Sequence, residues 1–175
     1  QQDDVNPNAA HEALAKLEKA FGSNLMLVTQ NVDDLHERGG SQSVYHMHGK
    51  LLSARCAISQ QTFDWSDSFD HTTKCPCCNR VTLRPDIVWF GEMPMYMEEI
   101  YDALSKADVF IAIGTSGNVY PAAGFVQIAK ESGAHTIEAN LEPGVTNALF
   151  DESLTGPASH IVPQWVDQLI SKYAL

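Results

Sequence analysis

After Asn6-Pro7-Asn8 the apolar side chains Leu14, Leu17 and Phe21 recur at helical spacing, which predicts an amphipathic helix that stops at Gly22. The helical period then gives way to Leu25-Met26-Leu27-Val28-Thr29, a short run of the kind a parallel strand shows when both of its faces are covered. It ends in Gln30-Asn31-Val32-Asp33-Asp34, too polar to continue through a core, and Gly39-Gly40 marks a turn. From Lys50 to about Phe90 helical periodicity is lost among Cys, Ser, Thr, Asp and aromatic residues, and this stretch reads as an inserted small module. After Pro94 a helix is expected to run to about Lys106, with Ile100, Ala103 and Leu104 on its apolar face. Asp108–Ile113 reads as a second buried strand, Pro121 opens a helix to about Ser132, His135–Asn140 reads as a third strand, and Pro163–Lys172 as a last helix.

Strand, polar loop, helix, strand is the pattern of a doubly wound α/β sheet. Ligands of such sheets bind outside the C-terminal ends of the strands. The first strand delivers Gln30, Asn31 and Asp33 there, the second Gly114, Thr115 and Ser116, and the third Asn140 and Glu142. These amide, hydroxyl and carboxylate groups suit ribose hydroxyls and a carboxamide. Gly114 and Gly117 allow close backbone approach, and the next helix N-terminus favours phosphate. Any one such loop is more often a turn or a cap. Three at successive strand ends point to a nucleotide, although no G-x-G-x-x-G fingerprint occurs.

Size and charge narrow the class. A chain of 175 residues accommodates one domain with a small appendage. With 11 basic against 22 acidic residues, the net charge of −11 disfavours nucleic acid and suits a basic peptide, although charge of this sign often only confers solubility. No apolar stretch reaches membrane-spanning length, and Gln1–Asn8 is polar, so neither a membrane span nor a signal peptide is expected. All four cysteines lie between Cys56 and Cys78, which reads as metal binding in a reducing cytoplasm rather than as disulfides.

The cysteine frame is Cys56-Ala57-Ile58-Ser59, fifteen residues, then Cys75-Pro76-Cys77-Cys78. That is the spacing of a four-cysteine zinc ribbon, with Ser59 where the second thiolate belongs. A serine hydroxyl is a poor zinc ligand, which leaves Cys77 or His71 as the substitute, or a weak site. His46-Met47-His48-Gly49 follows a short apolar lead, so His46 and His48 are expected on one strand face. Spacing alone leaves three roles open for them: satisfied structural residues, metal ligands, or a general base.

Taken together, Thr29-Gln30-Asn31-Val32-Asp33, His48-Gly49, the cysteine knuckle, Val88-Trp89-Phe90-Gly91-Glu92, and Gly114-Thr115-Ser116 with Val119 and Pro121 resemble the sirtuins in order and spacing. Asn140-Leu141-Glu142 and Gly156-Pro157-Ala158-Ser159 look like the family's later cofactor contacts. The resemblance spans essentially the whole chain and looks nearest to the bacterial class III type, which removes acetyl and longer acidic acyl groups from lysine.

It implies a Rossmann-like domain over residues 1–49 and 92–175, and a zinc-bearing module with a peptide-cleft strand over 50–91. It further implies NAD-dependent protein-lysine deacylation (deacetylation, with desuccinylation as an extension), with acylated lysine peptides as partners, NAD as co-substrate and zinc as a structural ion. His48 resembles the base, with Asn31 and Asp33 beside it. Gln30, Asn31, Val32, Asp33, Gly114, Thr115, Ser116, Asn140, Leu141, Glu142 and Ala158 resemble cofactor contacts. Val88, Phe90, Gly91, Glu92 and Val119 resemble substrate contacts, with 88–92 as a strand edge that pairs with the peptide, or else a buried aromatic strand. Cys56, Cys75, Cys77 and Cys78 are the expected metal ligands.

The family's opening strand, its Gly-Ala-Gly-x-Ser loop and the Tyr-x-x-Arg pair have no match here, so the sheet is expected to lack its first strand. The alternatives are a non-catalytic module binding acyl-lysine or ADP-ribose, and a mono-ADP-ribosyl transferase.

Overall fold

The computed structural model describes residues 5–173. Its first helix, α1 (Ala9–Phe21), begins where Asn8 accepts the Ala10 and His11 N–H groups and the His11 ring accepts the Asn8 N–H, a reciprocal cap that satisfies otherwise orphaned donors. Gly22 at φ +55° ends it. A 3₁₀ turn over Gly22–Asn24 takes up the start of the expected strand, so β1 is confined to Leu27–Thr29. A short helix, α2 (Leu35–Arg38), precedes Gly39-Gly40, and β2 (Val44–His46) pairs with β1 in parallel.

An antiparallel sheet follows in the order β4-β3-β5, made of β3 (Gly49–Cys56), β4 (Thr62–Asp64) and β5 (Leu83–Ile87). Then come α3 (Met97–Leu104), β6 (Val109–Ile113), a 3₁₀ turn at Ala122–Gly124, α4 (Phe125–Glu131), β7 (His135–Asn140), β8 (Glu152–Thr155) and α5 (Ala158–Tyr173). Strands β6, β7 and β8 form a second parallel sheet in that order.

Successive side chains of a strand point to opposite faces, and two cores follow from that alternation. Leu27, Val109, Ile111 and Ile113 pack with Ala13, Leu14 and Leu17 of α1 and with Val162, Trp165 and Val166 of α5. Met26, Val28 and Phe110 point the other way, onto Ile100 and Leu104 of α3 and Phe125 and Ala129 of α4. The Rossmann-like, doubly wound arrangement expected from the sequence is therefore present. Among the described residues the β1–β2 pair and the β6–β8 sheet share both cores without a hydrogen-bonded ladder between them.

Two elements differ from expectation. Helix α5 starts five residues before Pro163, which lies inside it. Proline forfeits one intrahelical N–H bond, but the buried face of Val162, Trp165 and Val166 holds the helix through that position. Strand β8 had no apolar signal: of Glu152-Ser153-Leu154-Thr155 only Leu154 is partly buried, as suits an edge strand.

Leu17 is 2% exposed at the centre of the α1–α5 core. We expect Leu17→Ala to cost about 2–5 kcal/mol, read as a lowered urea midpoint with unchanged slope.

Candidate active site

The polar residues that follow β1 are held by the two histidines. Asn31 N–H donates to Thr29 Oγ1 at 3.1 Å, and Leu35 N–H to Asp33 Oδ1 at 3.1 Å, so Asp33 also caps the start of α2. Two consecutive backbone carbonyls of this loop face imidazole rings. His48 Nδ1 lies 3.0 Å from Gln30 O, and His46 Nδ1 lies 3.2 Å from Asn31 O. A carbonyl can only accept, so both Nδ1 atoms carry hydrogen.

The second ring nitrogen separates the two histidines. His46, 2% exposed, presents Nε2 to Glu37 Oε1 at 2.8 Å, and Lys50 reaches the same oxygen at 3.2 Å. Burial works to raise the Glu37 pKa. The hydrogen bond from His46 and that ring's charge, with Lys50, outweigh it and hold the carboxyl below its ordinary range. An ionised Glu37 requires a donor from His46, whose ring is then fully engaged. His48 is half-buried, and among the described residues its Nε2 has no hydrogen-bond partner. Of the three roles left open by spacing, the geometry makes His46 a structural partner of Glu37 and leaves His48 Nε2 unengaged among the described residues.

His48 does not share a strand face with His46, since β2 ends at His46 and residues 47–48 form a turn. Met47 is fully buried, and Gly49, at φ +88°, comes so near β5 that a Cβ there would sit 1.9 Å from Asp86 O. Chain from the antiparallel sheet closes over this turn: Val88 N–H donates to His48 O and Met95 N–H to Met47 O, each at 2.9 Å.

Residues 88–92 are likewise not a strand, because β5 ends at Ile87. Arg84 forks onto Glu92 at 2.6 and 2.9 Å, Trp89 N–H donates to Glu92 Oε2 at 3.0 Å, and Glu92 N–H to Trp89 O, with Gly91 at φ +91°. The resulting turn holds Trp89 half-exposed and Phe90 fully exposed, so the buried aromatic strand is excluded.

The other strand ends form a second cluster. Gly114 N–H donates to Ala139 O and Gly156 N–H to Asn140 O, both at 2.9 Å, and Asn140 Nδ2 donates to Thr115 O at 2.8 Å. Gly114, at φ +64°, has open space where a Cβ would point. Ser116, Leu141 and Glu142 are exposed, Ala158 opens α5 directly beyond β8, and Val119 lies exposed in the loop before Pro121. A cavity of about 1020 Å³ lies at the opposite ends of the strands, around Leu25 and Ser43, away from both clusters.

The sulfur atoms of Cys56, Cys75, Cys77 and Cys78 lie within 4.8 Å of one another, with Cys75 and Cys77 at 3.3 Å. Four thiolates around zinc are about 3.8 Å apart, so the donor set fits that ion, and Cys77 takes the fourth place. Ser59 instead places its hydroxyl 3.3 Å from Cys77 Sγ. His71 is not part of the cluster. Bound there, zinc would supply a cross-link between the end of β3 and the segment 75–78 that precedes β5.

A family model described as Sir2 family matches residues 1–121. The chain belongs to the Sir2 family. It is 57% identical over 171 residues to proteins named NAD-dependent protein deacylase from Salmonella typhimurium and from Escherichia coli (strain K12). That match takes in 97% of this chain but 63% and 61% of those proteins, so the chain spans about three-fifths of the curated relatives' length. Among solved structures, a Sir2 homologue–NAD complex superposes with a TM-score of 0.85 at 38% identity, over 97% of this chain and 67% of that one. Sir2Af2 bound to a myristoylated histone peptide gives 0.78 at 32% identity, over 96% and 74%.

Sequence reasoning missed the pair His46–Glu37 and the fork Arg84–Glu92. The acidic residue three places after Asp34, beside a strand that carries a second histidine, was the available signal for the first; nothing local marked the second.

Two expectations follow. Purified protein should carry about one zinc per chain by elemental analysis, and Cys75→Ser should lose both the metal and several degrees of melting temperature, whereas Ser59→Ala should keep the ion. The Arg84 fork, with the Trp89 N–H, holds the Glu92 carboxyl down at about 2. A depressed carboxylate contributes stability that is present above the unfolded value of about 4.5 and is lost as pH falls towards 2. The stability difference between wild type and Glu92→Gln, followed by urea unfolding, should therefore shrink between pH 5 and pH 2.5.

Proposed function

We propose that the full-length protein is an NAD-dependent protein-lysine deacylase, with His48 as its general base. The observation that carries this reading is the orientation of His48: Nδ1–H is committed to Gln30 O, in the loop that carries Asn31 and Asp33, and Nε2 has no hydrogen-bond partner among the described residues. The names of the bacterial relatives and the NAD and acyl-peptide complexes of the solved Sir2 proteins support it.

NAD, when bound, would supply the ribose that parts from nicotinamide and receives the acyl group, so that with one water consumed nicotinamide, O-acyl-ADP-ribose and free lysine are released. His48 Nε2 takes the proton of a ribose hydroxyl, and the Gln30 carbonyl stabilises the resulting imidazolium through Nδ1–H. Asn31 and Asp33 orient the ribose and carboxamide, with Gln30 and Val32 alongside. Gly114, Thr115, Ser116, Asn140, Leu141, Glu142 and Ala158 hold the adenosine half.

An acylated lysine peptide lies along Val88, Phe90, Gly91 and Glu92, with Val119 opposite. Because the Val88 N–H already serves His48 O, peptide pairing there relies on the remaining backbone groups of the turn. Residues 50–91 act as the small metal module, and residues 1–49 with 92–175 as the nucleotide domain. A cytoplasmic location suits the four free cysteines. No helix among the described residues is long and apolar enough to cross a membrane.

The test is nicotinamide release from NAD by full-length protein given an acetyl-lysine peptide, with mass spectrometry to separate deacylation from ADP-ribosyl transfer. His48→Ala should lower kcat by at least about 100-fold with folding intact, the usual range for a lost general base. His46→Ala should instead lower thermal stability, because it strands the buried side of Glu37. Equal loss of kcat from both, at equal stability, would remove His48 from the role.

A further inference from the structure

Glu138 is 2% exposed near the end of β7, with Ala112 of β6 and Ser153 of β8 in register on either side. A carboxyl group tolerates burial only when hydrogen bonds replace its water. Here the replacement is complete on both oxygens. Oε1 accepts from Asn140 Nδ2 and from Gly144 N–H, each at 3.2 Å; Oε2 accepts from Gly144 N–H at 3.2 Å and Asn147 Nδ2 at 2.6 Å.

Every one of these donors belongs to residues 140–147, the loop that leaves β7. The carboxylate is the hub around which that loop is wound, and Gly144 comes close enough that a Cβ there would meet Glu138 Oε1 at 2.4 Å.

The same loop is fitted to the loop after β6. Asn140 Nδ2 donates to Thr115 O at 2.8 Å as well as to Glu138, and a Cβ on Gly117 would lie 2.5 Å from Thr146 Oγ1. Glu138 thus sets the spacing between Gly114–Gly117 and Asn140–Glu142 from below, while Leu141 and Glu142 remain exposed above it.

We propose that Glu138 is a positioning residue that fixes the two strand-end loops at the separation required by the adenosine half of the nucleotide. This rests on the assignment of those loops to NAD given above. It places the effect of Glu138 on nucleotide affinity and not on the proton transfer at His48, which belongs to the other cluster.

The test is Glu138→Gln in the full-length protein. The amide keeps the shape but replaces one acceptor oxygen by an NH₂ that confronts N–H donors in either orientation. Calorimetry with ADP-ribose should show affinity weakened about tenfold or more, and KM for NAD should rise by a similar factor, while kcat and the peptide KM stay within about twofold. Asn147→Ala removes one donor and leaves the carboxylate in place. It serves if Glu138→Gln does not fold, and should weaken ADP-ribose binding about threefold.

Unchanged ADP-ribose affinity in both variants would overturn the proposal, as would a fall in kcat at unchanged affinity. If wild type binds ADP-ribose but releases no nicotinamide, the deacylase reading fails while the calorimetric comparison still decides the role of Glu138. If wild type binds no ADP-ribose, both fail.

Discussion

Two neighbouring peptide carbonyls, those of Gln30 and Asn31, each accept a hydrogen bond from an imidazole Nδ1–H, and the arrangement of the site follows from that pair. Backbone oxygens cannot change protonation state, so they impose a tautomer where a carboxylate would only favour one. They also belong to the loop that carries Asn31 and Asp33, which ties the geometry of those two residues to that of the rings. Identical first bonds then lead to different surroundings: Glu37, itself bonded to Lys50, engages Nε2 of His46, whereas Nε2 of His48 has no partner among the described residues.

The turn that carries His48 is built as much by the antiparallel sheet as by the parallel one. Gly49 fits against the Asp86 carbonyl with no room for a side chain, and the backbone of Val88 and Met95 clasps the turn from above. Residues 83–95 run directly from the cysteine cluster's side of the sheet, through the Arg84–Glu92 fork, to that clasp. The antiparallel sheet therefore bears on the turn that carries His48 through the backbone bonds of Val88 and Met95.

The fold was legible where a single periodicity persisted. Helix α1 and strand β7 lie where apolar spacing and capping residues place them, since local propensity and tertiary burial agree there. Strand β8 was silent because one partly buried leucine is no pattern, and the early start of α5 was hidden by Pro163. At the site, residue types at strand ends and the cysteine spacing were readable, including Cys77 as a substitute for the position held by Ser59. What was not readable, apart from the hint given by an acid three places after Asp34, depended on how turns bring together side chains eight or nine places apart. The His46–Glu37 pair, the Glu92 fork and the turn at His48 arise from approach distances that spacing along one chain does not encode. Glu138 is the instructive case: an acid in an apolar strand looks like an exposed alternate position until the loop that covers it is in place.

Among the described residues, the β1–β2 pair and the β6–β8 sheet are covered by the same helices, so side-chain volume in those helical layers bears on both. Ala10 and Ala13 of α1 are small residues in the core that joins it to α5. Larger groups at those two alanines would act as wedges between α1 and α5, lifting both helices off the strands while leaving every polar side chain chemically intact.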